Sequence, residues 1–173
     1  MRILFAAGTQ FAFPRLDEVV LSVARARPSW SLVYQAGPGA LIQALSPFTN
    51  LQAQALFNAG EFSALFDNAD LVVTHAGMGN IMACLEQSKP FLMLPRLARL
   101  GEHRNDHQVD TAEAISRIYG VPFFQEVEPL VEAVLDGHAA LALPAGAVQR
   151  IHDERQAFGK QLNALIQKLQ GSS

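Results

Sequence analysis

Residues 70–108 constrain the fold more than any other stretch. DLVVTHAGMGNIMACLEQSKPFLMLPRLARLGEHRNDHQ reads as a buried strand, a glycine turn, a helix, a second buried strand and a loop crowded with polar side chains. Leu71 to Thr74 is short, apolar and β-branched, and it runs into His75, Ala76, Gly77, Met78, Gly79 and Asn80 with no spacer before the helix. Such a junction turns the helix's first N–H groups and the positive end of its dipole outward beyond the strand. An anion such as a phosphate or diphosphate suits that position, and glycines at 77 and 79 let it approach the backbone.

The flanking sequence repeats the alternation. Ile3 to Ala7 is an apolar run opening into Gly8-Thr9, a first buried strand and its loop. Phe13-Pro14 starts a helix with Leu16, Val19, Val20, Val23 and Ala24 on one face and Arg15, Asp17, Glu18, Arg25 and Arg27 on the other, ended by Pro28. Ser31 to Gln35 and residues 51–57 read as strands, and Glu61 to Asn68 as a short helix with Phe62, Leu65 and Phe66 inward. Phe91 to Leu94 is the second strand of the central unit. The pattern predicts a helix from Asp106 to Tyr119, with Val109, Ala112, Ile115 and Ile118 inward and Gly120 as its stop. Val121 to Phe124 reads as a last strand and Pro129 to Leu135 as a helix. After the small-residue connector 137–147 comes an amphipathic helix, about 149–170, carrying Ile151, Phe158, Leu162, Leu165, Ile166 and Leu169.

This order predicts a single α/β Rossmann-like domain over residues 1–147, with a mostly parallel sheet, and a C-terminal helix and tail over 148–173. Ligands of such sheets bind beyond the strands' carboxyl ends, which places Gly8-Thr9, His75 to Asn80 and Pro95 to Gln108 on one rim. A net charge of −3, without a dense Lys/Arg cluster, argues against nucleic-acid binding. Cys84, the single cysteine, excludes an intrachain disulfide and reads as a buried filler in a reducing compartment. MRILFAAG is too short for the apolar region of a signal peptide, and no apolar run approaches the roughly twenty residues of a membrane span.

Several chemistries fail at the rim. A dinucleotide fingerprint needs a third glycine where Met82 stands, and an acidic residue about twenty positions on, which is missing. Neither a phosphate loop of the G-x-x-x-x-G-K-[ST] kind nor a G-x-S-x-G nucleophile elbow occurs. Glu102, His103, Asp106 and His107 cluster, with the histidines at i and i+4, but no third histidine or cysteine is near enough in sequence to close a metal site. The alternative is a loop whose Asn105 or Asp106 caps the following helix. No metal and no cofactor is therefore expected. His75 has two readings, a ligand-facing group or a histidine satisfied by nearby backbone.

VVTHAGMGNIMACLEQSKPFLMLPR followed by GEHRNDHQ resembles the carboxyl-terminal, donor-binding domain of GT-B glycosyltransferases of family 28. It is most similar to the single-domain chains that form one subunit of a two-subunit transferase. These include the catalytic subunit of the N-acetylglucosaminyltransferase of dolichol-linked oligosaccharide assembly and bacterial exopolysaccharide counterparts. The resemblance is strong over 70–115, weaker at LFAAGTQF and YQAG, and not traceable beyond about 126. It implies a UDP-sugar donor, with the backbone N–H groups of Gly77, Met78, Gly79 and Asn80 and the Asn80 side chain at the diphosphate, His107 and Gln108 at the sugar hydroxyls, and Gly8 and Thr9 facing the cleft. His75, Arg96 and Glu102 join the expected donor-binding set, Arg96 as a bidentate phosphate contact.

One position departs from the family pattern. The glutamate that meets the ribose should stand six residues after Gly77, where this chain has Ala83; Glu86, one turn later, could serve a shifted ribose. The resemblance further implies an inverting transferase active with a membrane-associated, acceptor-binding partner subunit. A lipid-linked saccharide is the implied acceptor, in exopolysaccharide or glycolipid synthesis, and the general base is expected on the partner, with His107 the candidate on this chain. The implied location is the cytoplasm, peripheral at the inner membrane face through that partner. A non-catalytic nucleotide-sugar-binding module and a complete homodimeric transferase remain as alternatives.

Overall fold

The computed structural model describes residues 1–39 and 47–137, together with Gln149, Asp153 and Lys160. Five parallel strands form one sheet: β1 (Arg2–Ala6), β2 (Ser31–Gln35), β3 (Leu51–Gln54), β4 (Leu71–Thr74) and β5 (Phe91–Met93), in the order β3-β2-β1-β4-β5. The described helices are α1 (Pro14–Ala26), α2 (Ala59–Asp67), α3 (Met78–Glu86), α4 (His107–Tyr119) and α5 (Val127–Asp136), with a 3-10 turn at Ala98–Leu100. The expected C-terminal helix and the division at residue 147 lie outside the described residues.

Strand alternation sorts the core into two layers. Ile3, Phe5, Leu32, Tyr34, Leu71, Val73 and Leu92 pack on one face with Leu16, Val19, Val20 and Val23 of α1 and Leu130 and Val134 of α5. Leu4, Val72, Phe91 and Met93 pack on the other with Phe66 of α2, Ile81, Cys84 and Leu85 of α3, and Ala112 and Ile115 of α4. Successive side chains of a strand point to opposite faces, so an apolar run such as Ile3 to Ala6 feeds both layers. Helices thus cover both faces of the sheet, the architecture predicted from the alternation.

The termini of the helices follow local chemistry. Pro14 opens α1, where its missing N–H is harmless. Asn58 and Glu61 form a reciprocal capping box on α2, and Gly120 closes α4 in the left-handed conformation at φ 69°. Three expectations are corrected. Val121 to Phe124 is not a strand: Met93 pairs with Phe123 in one isolated bridge, and Pro122 has no N–H to extend a ladder. Ile118 is 45% exposed, and Tyr119 takes the inward position on α4. Arg15, assigned to the wet face of α1, is buried because its guanidinium finds the carboxylate of Glu102 and the carbonyls of Pro95 and Gln125.

Candidate functional site

The strand order reverses direction between β1 and β4, and the loops leaving these neighbours separate there to open a crevice. A cavity of about 540 Å3 occupies this position. It runs along the carboxyl ends of the strands, from Gln35, Phe57 and Phe62 beyond β2 and β3, past Gly8 and Thr9 beyond β1, to His75, Gly77, Gly79 and Asn80 beyond β4. Arg96, His103, His107 and Gln108 close it beyond β5.

At its centre the chain passes from β4 into α3. Gly77 is the residue before the helix, no side chain caps it, and its own N–H bonds to His75 O at 2.8 Å. The N–H groups of Met78, Gly79 and Asn80 belong to the first turn and have no partner inside the helix. Asn80 Nδ2 donates to Thr74 Oγ1 at 2.8 Å, and Thr74 Oγ1 donates to Ala6 O at 3.2 Å, so the turn is fastened to β1.

The two glycines of the turn have different reasons to be glycine. A Cβ on Gly77 would lie 2.2 Å from His75 Nε2, and one on Gly8 would lie 2.8 Å from the same ring, so the imidazole occupies the space both glycines leave. A Cβ on Gly79 would meet nothing within 4 Å. The protein's own packing therefore asks for glycine at 77 and not at 79, and the space before Gly79 is open.

The imidazole of His75 is held by Ala6 O, 3.3 Å from Nδ1. A carbonyl only accepts, so the proton sits on Nδ1 and Nε2 keeps a lone pair. Burial pushes its pKa down to about 4, because the charged form would lose its hydration; the Ala6 carbonyl opposes this only in part. The ring is thus neutral near pH 7. Both readings of this residue meet here, since it is satisfied by backbone and lines the cavity.

Beyond β5 the loop is built on two buried arginines. Arg96 is 2% exposed, stacks over the Phe13 ring at 4.3 Å, and donates to the carbonyls of Ala7 (2.6 Å), Phe11 (2.7 Å), Ala12 (2.5 Å) and Glu102 (3.4 Å). With both terminal nitrogens engaged on carbonyls, it shapes the loop after β1 and cannot give the expected bidentate phosphate contact, although it lines the cavity. Glu102 is also reassigned. Its carboxylate pairs with Arg15 and accepts from Leu97 N at 2.9 Å, and it does not line the cavity. This clasp ties the loop to α1.

At the start of α4, Gln108 is buried and its Oε1 accepts from Arg96 N at 3.1 Å, which leaves the amide N–H groups as the end free for a ligand. His107 is exposed, with Nδ1 on Asn105 Oδ1, so Nε2 offers a lone pair. Asp106 Oδ1 accepts from Ala98 N at 2.8 Å. Glu102 and Asp106 are thus turned to Arg15 and Ala98 N while the His103 and His107 rings lie 4.4 Å apart, and no group of three or more potential metal ligands occurs among the described residues.

Two side chains of the expected donor-binding set stand apart from the cavity. Met78 is 51% exposed and offers only its backbone N–H to the turn. Glu86 is exposed at the last residue of α3, eight residues from Met78 and so about 12 Å along the axis from the glycine turn, and it does not line the cavity. The expected donor-binding set also lacked Gln10, Phe11, Gln35, Phe57, Ala59, Phe62 and His103, the last expected only as a metal-ligand candidate, all of which line the cavity. For Gln35 and Phe57 the signal was present: the carboxyl-end rule applied to β1, β4 and β5 holds equally for β2 and β3.

Solved structures share this fold. The glycosyltransferase of kitacinnamycin superposes with a TM-score of 0.69 at 23% identity, covering 96% of this chain and 42% of that one. MurG from Acinetobacter baumannii gives 0.59 at 16%, covering 91% and 52%. SsfS6 from Streptomyces sp. SF2575, a glycosyltransferase solved in complex with thymidine diphosphate, gives 0.56 at 21%, covering 90% and 37%. At such identities the likeness concerns the fold, and this chain spans only about half or less of those neighbours' lengths. No curated protein sequence matches significantly. No described helix is long and apolar enough to cross a membrane. The profile of the glycosyltransferase family 28 C-terminal domain matches residues 2–139, most of the sequence, and the chain belongs to that family.

Proposed function

We propose that this chain is the donor-binding half of an inverting glycosyltransferase that takes a UDP-sugar. The observation that carries the reading is the uncapped amino end of α3 opening onto the cavity, with free space before Gly79. A diphosphate seated there accepts from the N–H groups of Met78, Gly79 and Asn80 and meets the positive end of the helix dipole. Phe57 and Phe62 at one end suit the flat face of a nucleobase. Gln108, with its amide N–H groups, and His107, with its Nε2 lone pair, suit the hydroxyls of a sugar at the other end. Thymidine diphosphate in the SsfS6 complex supports a nucleoside diphosphate as the ligand class.

In this reading the chain positions the donor and stabilises the departing UDP as charge builds on its terminal phosphate. The acceptor hydroxyl attacks the anomeric carbon from the opposite face, the bond to UDP breaks, and the hydroxyl proton passes to a base. Among the described residues the cavity is lined by the imidazoles of His75, His103 and His107 and by no carboxylate; in this reading the base and acceptor site belong to a membrane-associated partner chain holding a lipid-linked saccharide. The place of Glu86, away from the cavity, favours one rival reading: a nucleotide-sugar-binding module without catalysis.

Calorimetry of the chain with UDP, UDP-sugars and NAD tests the site. UDP is expected to bind and NAD not to; tight NAD binding with no response to UDP overturns the reading. Transfer to a lipid acceptor only when the partner is added separates the enzyme from the binding module.

A further inference from the structure

His103 lines the cavity beside His107 and Gln108, yet neither ring nitrogen has a hydrogen bond among the described residues, and its Nδ1 is buried without a partner. The ring is held edge-to-face on both sides, with centroids 5.3 Å from Phe11 and 4.4 Å from His107. A buried polar atom left unsatisfied is destabilising, and orphaned N–H groups are rarer than orphaned acceptors, so the favoured tautomer leaves the lone pair on Nδ1. The proton then sits on Nε2. Nδ1 is the sealed, partnerless atom of a ring that lines the cavity, which leaves Nε2 as the nitrogen available to a ligand.

We infer that His103 is a specificity-determining residue of the donor site, presenting Nε2–H to a hydroxyl oxygen of the transferred sugar. The inference rests on the donor-site reading above. Three features select the sugar over the diphosphate. The first turn of α3 already supplies N–H donors for an anion. His103 stands at the β5 end of the cavity, with Gln108 and His107. One N–H matches a single hydroxyl better than a diphosphate, which takes several donors at once. The neighbours complement it: His75 and His107 offer lone pairs, Gln108 and His103 offer N–H groups, and a ring of hydroxyls, each donor and acceptor, can be read by such a set.

The test is calorimetry of the full chain with UDP and with the tightest binder among UDP-glucose, UDP-galactose and UDP-N-acetylglucosamine. His103→Phe keeps a ring between Phe11 and His107 and removes both nitrogens. It is expected to lower UDP-sugar affinity about three- to tenfold, the effect of one hydrogen bond, while UDP affinity stays within about twofold. His103→Gln, whose amide nitrogen can approach the Nε2 position, should recover most of the loss, and His103→Asn, which mimics Nδ1, should not. Unchanged UDP-sugar affinity in His103→Phe, or an equal fall for UDP and UDP-sugar, overturns the inference alone. A wild type that binds neither UDP nor any UDP-sugar overturns the site reading as well. Nitrogen-15 NMR of the wild-type imidazoles tests the tautomer without any variant: a proton on Nδ1 of His103 overturns the assignment.

Discussion

The turn at 77–79 makes opposite predictions for two neighbouring glycines. In Gly79→Ala the new methyl meets no protein atom within 4 Å, and Gly79 lacks the positive φ that would strain alanine. Alanine is the better helix former, so the variant should be more stable than wild type by about 0.5–1 kcal/mol. The same methyl stands where a diphosphate must approach the N–H groups of α3. Losing one hydrogen bond to a charged group costs about 1.5–3 kcal/mol, so the Kd for UDP should rise about tenfold to a hundredfold. In Gly77→Ala the methyl would lie 2.2 Å from His75 Nε2, against 3.4 Å for ordinary contact, and Gly8 flanks the same ring. The imidazole must leave Ala6 O, and overpacking of this kind costs about 1–3 kcal/mol. Urea denaturation and UDP calorimetry on both variants give four numbers. A Gly79→Ala protein that binds UDP as tightly as wild type would refute the reasoning, because the open space would then not be ligand ground.

Other consequences concern the buried imidazole, the loop clasp and the far end of α3. His75 has a folded pKa of about 4 against an ordinary 6.5, so between these values the unfolded chain holds the extra proton; its contribution is complete above pH 6.5 and falls by about 1.4 kcal/mol per unit down to pH 4. His75→Asn should flatten the urea midpoint between pH 4 and 6.5, and an unchanged slope counts against a buried neutral ring. Glu102→Gln leaves Arg15 charged and buried, and the loss should be about 3 kcal/mol or more by denaturation; a loss under about 1 kcal/mol would mean the clasp is solvated. Glu86→Ala should leave UDP affinity within about twofold, and a tenfold loss would place the ribose at the far end of α3, outside the cavity.

What was legible in the sequence was what local chemistry decides. Leu71 to Thr74 could be read as a strand from its β-branched apolar run, and the helix at 107–119 from its spacing and Gly120. The rim followed from one rule about strand ends. What could not be read depends on partners distant in sequence. Arg15 finds Glu102 87 positions away, and Arg96 finds Ala7 89 positions away; without those partners a charged residue is correctly assigned to water. Gly77 and Gly79 look alike in sequence, and only the position of the His75 ring tells them apart.

The same distinction governs the charges of the site. From the sequence, Arg96 and Glu102 resemble ligand contacts because they are polar, adjacent to a strand end and close to a histidine cluster. In the fold they are internal ties. Arg96 gathers the carbonyls of residues 7, 11 and 12 at the loop after β1, and Glu102 fixes Leu97 N and Arg15. Neither leaves an unpaired charge in the cavity. The groups that remain to meet a ligand are backbone N–H groups, a glutamine amide and imidazoles held by Ala6 O, Asn105 or ring packing. A site of that composition recognises by direction more than by charge, since each donor or acceptor is oriented before the ligand arrives. In the proposed reading its phosphate end depends on one helix terminus and its hydroxyl end on three side chains at the loop that Arg15 and Glu102 hold in place.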